Sequence, residues 1–274
     1  MDRHAFLSAR LQAMLQLERK PVGVKLVYSK EEYDAYEARD LIAPMEYCVA
    51  IKSAGLGHSL KFTKENSGCG GSTVALGFQL PADSFYAGAD GCRLGLFKDA
   101  SVAAKTTAQM KIIKKPLYGV IVKPLAEYTE GAPDVVIVVA SAREIMRVVQ
   151  GYTCTYGIQP NMCPTGNQAI CVECTAYPIL TGELNLSMFC SGTRYLAKWK
   201  ESEAGVGIPY EKLEGTIDGI RNTVNATEMD NRKSEIIESL KALEENTEDI
   251  TMGSAYYLGL QQAKFERVRN RKKK

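Results

Sequence analysis

The sequence is poor in the features that most often reveal a function. Its 274 residues include only two histidines and one tryptophan. Lysine and arginine number 34 and aspartate and glutamate 32, so no charge excess favours nucleic acid as the main partner. No apolar run approaches the roughly 20 residues of a membrane span, and the charged N-terminal segment does not have the pattern of a signal peptide. We therefore expect a cytoplasmic protein with neither a nucleic-acid nor a membrane partner.

Motifs of the common nucleotide-binding folds are also missing. The chain has no Gly-x-x-x-x-Gly-Lys-Ser/Thr and no strand-linked Gly-x-Gly-x-x-Gly. It also has no Pro- or Ser-rich linker, which predicts that its parts share one sheet or one tight interface. Nothing in these patterns therefore indicates a nucleotide as the ligand.

Cysteine is the exception to this scarcity. The chain has eight cysteines, and a reducing cytoplasm keeps thiols from pairing as disulfides. Metal binding or thiol redox chemistry is then the alternative to inert burial of these side chains. Two of them begin similar stretches, Cys69-Gly70-Gly71-Ser72 and Cys190-Ser191-Gly192-Thr193, in which a glycine and a hydroxyl residue follow the cysteine.

Helix and strand patterns alternate along the chain, which predicts an α/β fold. Apolar residues at helical spacing predict a helix over 2–18. Valine-rich runs predict strands at 21–29, 116–125 and 133–141. The first and third of these strands end in Ser-x-x-Glu, at Ser29 and Ser141, which is the pattern of a capping box that opens a helix.

The first and third strand segments match each other. At an offset of 112 residues, five positions agree: Pro21/Pro133, Val24/Val136, Val27/Val139, Ser29/Ser141 and Glu32/Glu144. After each predicted helix comes a Cys-Val pair, at Cys48 and at Cys171, and a Cys-x-Gly follows it, at Cys69 and at Cys190. This order indicates an internal duplication, although generic βα units with cysteines aligned by chance would look the same.

We therefore predict an α/β protein with a mixed sheet built from two pseudo-symmetric repeated halves and a helical C-terminal extension. The halves span 1–115 and 116–228, and the extension spans 229–274. The extension has an apolar stripe formed by Ile236, Ile237, Leu240 and Leu243. A second helix is predicted around Tyr256 to Phe265.

Two related halves that pack about a twofold axis would bring four thiolates together: Cys48, Cys69, Cys171 and Cys190. Four thiolates bind an iron–sulfur cluster or zinc. The common zinc modules combine two close Cys-x-x-Cys pairs, whereas the only such pair here is Cys171-x-x-Cys174. The spacing thus favours a [4Fe–4S] cluster between the halves, with zinc as the alternative. Whether Cys154, Cys163 or Cys174 replaces one of the four stays open.

Other side chains near these cysteines are candidates for supporting roles. Gly70, Gly71 and Gly192 allow the backbone N–H groups to approach a negatively charged cluster closely. Arg194 could steady such a cluster or bind an anionic substrate. His58 could act as an acid, a base or a ligand, although a loop histidine more commonly faces solvent.

In several places the sequence resembles the domain of unknown function 169 family, a group of prokaryotic proteins common in anaerobes and archaea. The similar segments are Pro21-Val22-Gly23-Val24, Cys48, Cys69-Gly70-Gly71, Pro133 to Val136 and Cys190 to Arg194. The resemblance covers roughly 5–225. It implies membership of a family without a settled activity, and Cys154, Cys163, Cys174 and the charged C-terminal helices depart from the family's plainer pattern.

The leading hypothesis is a cytoplasmic iron–sulfur protein. Three thiolate ligands would leave one iron open as a Lewis acid for a small anionic or sulfur-containing substrate, as in a lyase or an oxidoreductase, and four would favour an electron carrier. The partner is accordingly a small-molecule substrate or a redox partner, and homo-oligomerisation stays open. The alternative from another class is a non-enzymatic binding module with structural zinc or no metal.

Overall fold

The computed structural model describes residues 2–243 and 246–255. Its helices are α1 (Arg3–Leu15), α2 (Lys30–Asp34), α3 (Tyr47–Gly55), α4 (Gly70–Ala75), α5 (Asp83–Tyr86), α6 (Ala89–Arg93), α7 (Ala100–Gln109), α8 (Ala142–Tyr156), α9 (Tyr177–Thr181), α10 (Ser191–Ala197), α11 (Tyr210–Asn222), α12 (Val224–Thr227) and α13 (Asp230–Leu240). A π-helix spans Ala169–Ala176, and short 3₁₀ turns span Lys64–Asn66 and Leu125–Glu127. The helix predicted around Tyr256 to Phe265 lies outside the described residues.

Within the described residues, seven strands form one mixed sheet, which confirms the predicted α/β class. The strands are β1 (Val22–Val27), β2 (Arg39–Asp40), β3 (Leu60–Thr63), β4 (Gly119–Pro124), β5 (Val135–Ser141), β6 (Asn185–Ser187) and β7 (Glu203–Pro209). Their order is β2-β3-β4-β1-β5-β7-β6. Every neighbouring pair is antiparallel except β2 and β3, which are parallel.

Alternation along the strands divides the core between the two faces of the sheet. Val22 and Val24 of β1 face the same cluster as Val135 of β5, together with α3 and the π-helix. Val136 faces the opposite cluster, with α1, α8 and α11. The offset of 112 residues pairs Val24 with Val136 and so matches positions on different faces. An offset of 113 pairs Val22 with Val135, which lie on the same face. The difference arises because a shift of one residue along a strand moves every side chain to the other face.

Helices cover both faces of the sheet. On the face opposite the π-helix, α8 and α11 pack at close range, because a Cβ built on Gly219 would lie 2.0 Å from the carbonyl oxygen of Gly151. The predicted stripe of the C-terminal helix is buried there, with Ile236 and Leu240 of α13 in the same cluster as α1. No helix in the described part of the chain is long and apolar enough to cross a membrane.

The two predicted capping boxes behave differently. The Ser29 hydroxyl accepts a hydrogen bond from the Glu32 N–H at 3.2 Å, and the Glu32 carboxylate accepts one from the Tyr28 N–H at 2.9 Å. Ser141 also precedes a helix, α8, but its hydroxyl makes no cap bond to the backbone and donates to the Glu144 carboxylate. The sequence pattern therefore locates both helix starts but predicts the cap geometry at only one.

Candidate functional site

The four cysteines that the repeat singles out lie around one cavity of about 80 Å³. Cys48 lies in the first turn of α3, and Cys171 lies in the π-helix. Cys69 is the N-cap residue of α4, and Cys190 is the N-cap residue of α10. One water molecule needs roughly 10–15 Å³ of such volume, so the cavity has room for several waters. Four segments that are distant in sequence therefore meet at one point, which we call the thiol cavity.

The two Cys-x-Gly turns lead directly into helices, the first into α4 and the second into α10. At the second turn the Cys190 sulfur accepts a hydrogen bond from the Thr193 N–H at 3.3 Å, and the Thr193 hydroxyl lies 3.1 Å from it. At the first turn the Cys69 sulfur makes no cap bond. There the hydroxyls of Ser72 and Thr73 donate to the Cys69 carbonyl, each at 2.9 Å.

Burial and mutual proximity shape the electrostatics of the thiols. The pKa of Cys48 is raised to about 11, chiefly by burial and in part by the neighbouring Cys190 and Cys69, while the Thr193 hydroxyl opposes the shift. Burial also raises the pKa of Cys171 well above its ordinary value, with Cys69, Cys190 and Cys48 adding to the effect. Both side chains are therefore neutral thiols near pH 7 unless a cation is bound. Binding a cationic centre there would release protons.

A buried carboxylate organises the wall that carries Cys171. Glu173 is 0% exposed. Its Oε1 accepts hydrogen bonds from the N–H and the hydroxyl of Thr165 and from the Gly166 N–H, the last at 3.1 Å. Its Oε2 accepts one from the Ser187 hydroxyl at 2.5 Å. Glu173 thus connects the loop that precedes the π-helix to β6, and the end of this loop, at Gln168, lines the cavity.

A second buried contact fixes α3 to the π-helix. The Thr175 hydroxyl donates to the Ile170 carbonyl at 2.8 Å, and the Tyr47 hydroxyl lies 2.8 Å from the Thr175 oxygen. Since the Thr175 proton is used within the π-helix, Tyr47 is the donor in this pair. Tyr47 precedes Cys48, so this bond sets the spacing between the Cys48 and Cys171 backbones.

Two of the three glycines assigned to the site, Gly71 and Gly192, lie beside the sulfurs. A Cβ built on Gly71 would lie 3.7 Å from the Cys69 sulfur, and one on Gly192 would lie 3.9 Å from the Cys190 sulfur. Nothing lies within 4 Å of a Cβ built on Gly70. None of the three has a left-handed φ. The absence of a side chain therefore leaves open space near the thiols. No unusual backbone conformation requires glycine at these positions.

Arg194 and His58 do not line the thiol cavity. The Arg194 guanidinium donates to the carbonyls of Lys200, Met188 and Glu203 at 2.8, 2.9 and 3.0 Å, and so fastens α10 to the start of β7. His58 lines a separate cavity of about 460 Å³ together with the segment 39–45. The structure therefore brings together the four cysteines and two of the three glycines, but neither of these two side chains.

The remaining cysteines lie elsewhere. Cys154 is exposed on α8. Cys163 lines another cavity beside Tyr177. Cys174 is buried, and the position for a Cβ on Gly205 lies 3.2 Å from its sulfur. Cys92, in α6, does not line the thiol cavity either.

Thr193 and Glu173 are the functional residues that the sequence interpretation leaves without a role. Thr193 is visible in the repeated motif as the hydroxyl residue three positions after Cys190. Glu173 is visible as a lone charge within the apolar run of the π-helix, where an unpaired carboxylate would be costly. The sequence therefore singles out both residues but does not reveal the groups with which they form hydrogen bonds.

Among the described residues, no set of three or more His, Cys, Asp or Glu side chains is arranged to hold a single metal ion. The thiols surround a space instead. This difference matters for the choice between a single metal ion and an iron–sulfur cluster.

The fold and the site together define an α/β protein with four cysteines around one cavity. A family model described as DUF169, uncharacterised ArCR, matches residues 10–219. An uncharacterized protein of Methanocaldococcus jannaschii is 29% identical over 216 residues, which cover 78% of this chain and 91% of that relative. No solved structure matches the chain. The chain belongs to the DUF169 family of uncharacterised proteins, as the resemblance of its motifs indicates.

Proposed function

We propose that this protein is an iron–sulfur protein that holds a [4Fe–4S] cluster on Cys48, Cys69, Cys171 and Cys190. The observation that carries the proposal is that these four thiols, and no other cysteine, line one cavity. Thiolates are the ligands that iron–sulfur clusters prefer. The Thr193 N–H aimed at the Cys190 sulfur is the kind of hydrogen bond that stabilises a thiolate ligand.

The spacing of the cysteines along the chain favours a cluster over zinc, because only Cys171 and Cys174 form a close Cys-x-x-Cys pair. Zinc binds thiolates at about 2.3 Å in a tetrahedron, which places the sulfurs within about 4 Å of one another. The described residues offer no such compact set. A four-iron cluster separates its thiolates by the width of its iron–sulfide core, and the four thiols here lie around a cavity.

The order of the strands supports an approximate twofold relation between two parts of the chain, with the boundary after β4 (Gly119–Pro124) and not before residue 116. Read from the centre outward, β1, β4 and β3 on one side correspond to β5, β7 and β6 on the other. The cysteine segments cross this centre, because α4 packs on the π-helix and α10 packs on α3. Each half therefore contributes one wall and one turn to the cavity.

The correspondence also pairs two prolines at strand ends, because Pro124 ends β4 and Pro209 ends β7. It does not extend to the connection between β3 and β4, which carries α4 to α7, whereas the connection between β6 and β7 carries only α10.

Electron transfer is the role that the site favours for the cluster. A cluster held by four thiolates exchanges single electrons, whereas an open iron site needs a vacant position and a group to orient the substrate. Arg194, the residue expected to bind an anion, is engaged by three carbonyls. The four cysteines are half-buried, which places the cluster close enough to the surface for a partner to reach it.

Anaerobic purification with iron, sulfide and zinc analysis tests the proposal. We expect brown protein with about four irons and four sulfides per chain, as the cluster composition requires. Cys69→Ser and Cys190→Ser should each lose most of the iron, because serine is a poor ligand for a soft centre. Cys92→Ser and Cys163→Ser are the matched controls and should retain it.

Colourless protein that contains zinc would support the binding-module alternative. Normal iron content in both Cys69→Ser and Cys190→Ser would overturn the ligand assignment. A wild-type cluster whose spectrum changes on addition of small thiols or carboxylates would restore the open-site enzyme.

A further inference from the structure

A second, larger cavity adjoins the thiol cavity. Its volume is about 390 Å³, within the range of roughly 300–1,000 Å³ that is typical of small-molecule sites. The two cavities share Gly71, Asn167 and Gln168 as a common wall. A molecule in the second cavity would therefore lie against the residues that enclose the thiols.

This cavity exists because the two halves differ. Between β6 and β7 the chain forms only α10, whereas between β3 and β4 it forms α4 and the added helices α5, α6 and α7. The added helices stand over α4 and make the outer wall of the cavity. The addition has no counterpart in the second half, so the sheet itself does not require it.

The lining is mainly apolar and partly preformed. Phe85, Leu94, Leu96, Phe97 and Met110 contribute side chains. The Phe97 ring is fixed against α6, since a Cβ built on Gly91 would lie 2.8 Å from it. Leu94 and Leu96 are 67% and 49% exposed. Both therefore present apolar surface beside the cavity that a bound molecule would cover.

The polar groups of the cavity are few and mostly neutral. Gln79, Asn167 and Gln168 bring side-chain amides. The two charged residues, Asp90 and Arg93, pair with each other at 3.4 Å. Amide groups orient a carbonyl or hydroxyl oxygen, and the one cationic side chain of this lining, Arg93, is already paired with Asp90.

We propose that this cavity binds a small, uncharged ring compound bearing carbonyl groups, of the quinone type. The apolar side chains contact the ring, and the amides of Asn167 and Gln168 donate to a carbonyl at the end nearest the thiols. Binding requires only the cavity, whereas a role of the bound molecule as redox partner of the cluster rests on the proposed function.

Duroquinone is the probe for this site, because its fully substituted ring does not add to the many free thiols. Binding is measured by anaerobic titration calorimetry with the full-length protein. Leu94→Glu and Leu96→Glu place a charge in the lining and should each weaken binding about tenfold or more. Val102→Glu is the matched control: Val102 is an exposed apolar residue on α7 that does not line the cavity, so binding should stay within about twofold.

Cys69→Ser separates this inference from the cluster assignment. It should bind duroquinone as the wild type does, whatever its iron content. Absence of wild-type binding up to about 1 mM would overturn the inference. So would equal weakening by Leu94→Glu and Val102→Glu, or binding that disappears in Cys69→Ser but persists in Leu94→Glu.

Discussion

At the scale of single residues, the site depends on side chains that do not reach the cavity themselves. Glu173 is the clearest example. It is completely buried, and its carboxylate accepts hydrogen bonds from Thr165, Gly166 and Ser187. Its neighbours are the thiol of Cys174 and the apolar face of the sheet. A carboxylate in such a place is tolerated only while its acceptors are satisfied.

Glu173→Gln should destabilise the protein. Both carboxylate oxygens accept hydrogen bonds, and in glutamine an NH₂ group, which is itself a donor, replaces one of them. At least one buried hydrogen bond is then lost, and the remaining bonds are weaker because the acceptor is no longer charged. We expect a loss of about 2–4 kcal/mol in the free energy of unfolding. Chemical denaturation at neutral pH measures this change.

Glu201→Gln is the control for that substitution, because Glu201 is exposed in the turn before β7. Its free energy of unfolding should stay within about 0.5 kcal/mol of the wild type. Equal stability of Glu173→Gln and the wild type would show that the carboxylate does not hold the 163–168 loop.

The residue scale also shows where sequence reasoning succeeds and where it does not. The four cysteines meet at one cavity, as the repeated motif suggests, and their role as ligands stays a prediction. Arg194 and His58 are near those cysteines along the chain, but closeness in sequence does not determine where a side chain points. Arg194 turns to backbone carbonyls, and His58 faces the 39–45 segment.

At the scale of elements, the π-helix owes its position to the strand beneath it. A Cβ built on Gly207 of β7 would lie 2.1 Å from the Cys174 carbonyl oxygen and 2.7 Å from its Cα. The backbone of the π-helix therefore rests directly on the backbone of β7. Any side chain at position 207 must push the π-helix, and with it Cys171, away from the sheet.

Gly207→Ala should accordingly destabilise the protein by about 3 kcal/mol or more, since the obstruction is backbone and not a flexible side chain. It should also lower the bound iron, because Cys171 moves with the π-helix. Gly55→Ala in α3 is the control: its Cβ would meet Arg19 at 3.6 Å, an ordinary contact. Thermal unfolding and iron analysis of the two variants should differ, and a stable, iron-replete Gly207→Ala would refute this account.

The predictable elements are those whose burial gives a regular pattern. The helix expected over 2–18 corresponds to α1, and the runs at 21–29, 116–125 and 133–141 correspond to β1, β4 and β5. Apart from Glu173 and Thr175 the π-helix is apolar, and it is largely buried, so no periodicity distinguishes it. Helices α5 and α6 have only four and five residues, too short for an apolar stripe, and the second cavity that they form could not be predicted for that reason.

At the scale of the whole molecule, the thiol cavity lies where the two parts of the chain meet. Strands β1 and β5 pair at the centre of the sheet through only three residue pairs. The contacts of α4 with the π-helix and of α10 with α3 add to this junction on one face. A cofactor bound to cysteines from both parts would therefore stabilise the junction rather than either part alone.

If the proposed cluster is present, its removal by an anaerobic chelator should loosen both parts together. We expect faster amide hydrogen exchange in the 47–55 segment of the first part and in the 163–176 segment of the second, because each loses a bond to the same centre. Helices α8 and α11 on the opposite face are the internal control and should keep their protection, since their packing on each other does not involve the cysteines. Exchange that rises in only one of the two segments would mean that the cysteines of both parts do not share one centre, and the ligand set would then have to be sought within a single part.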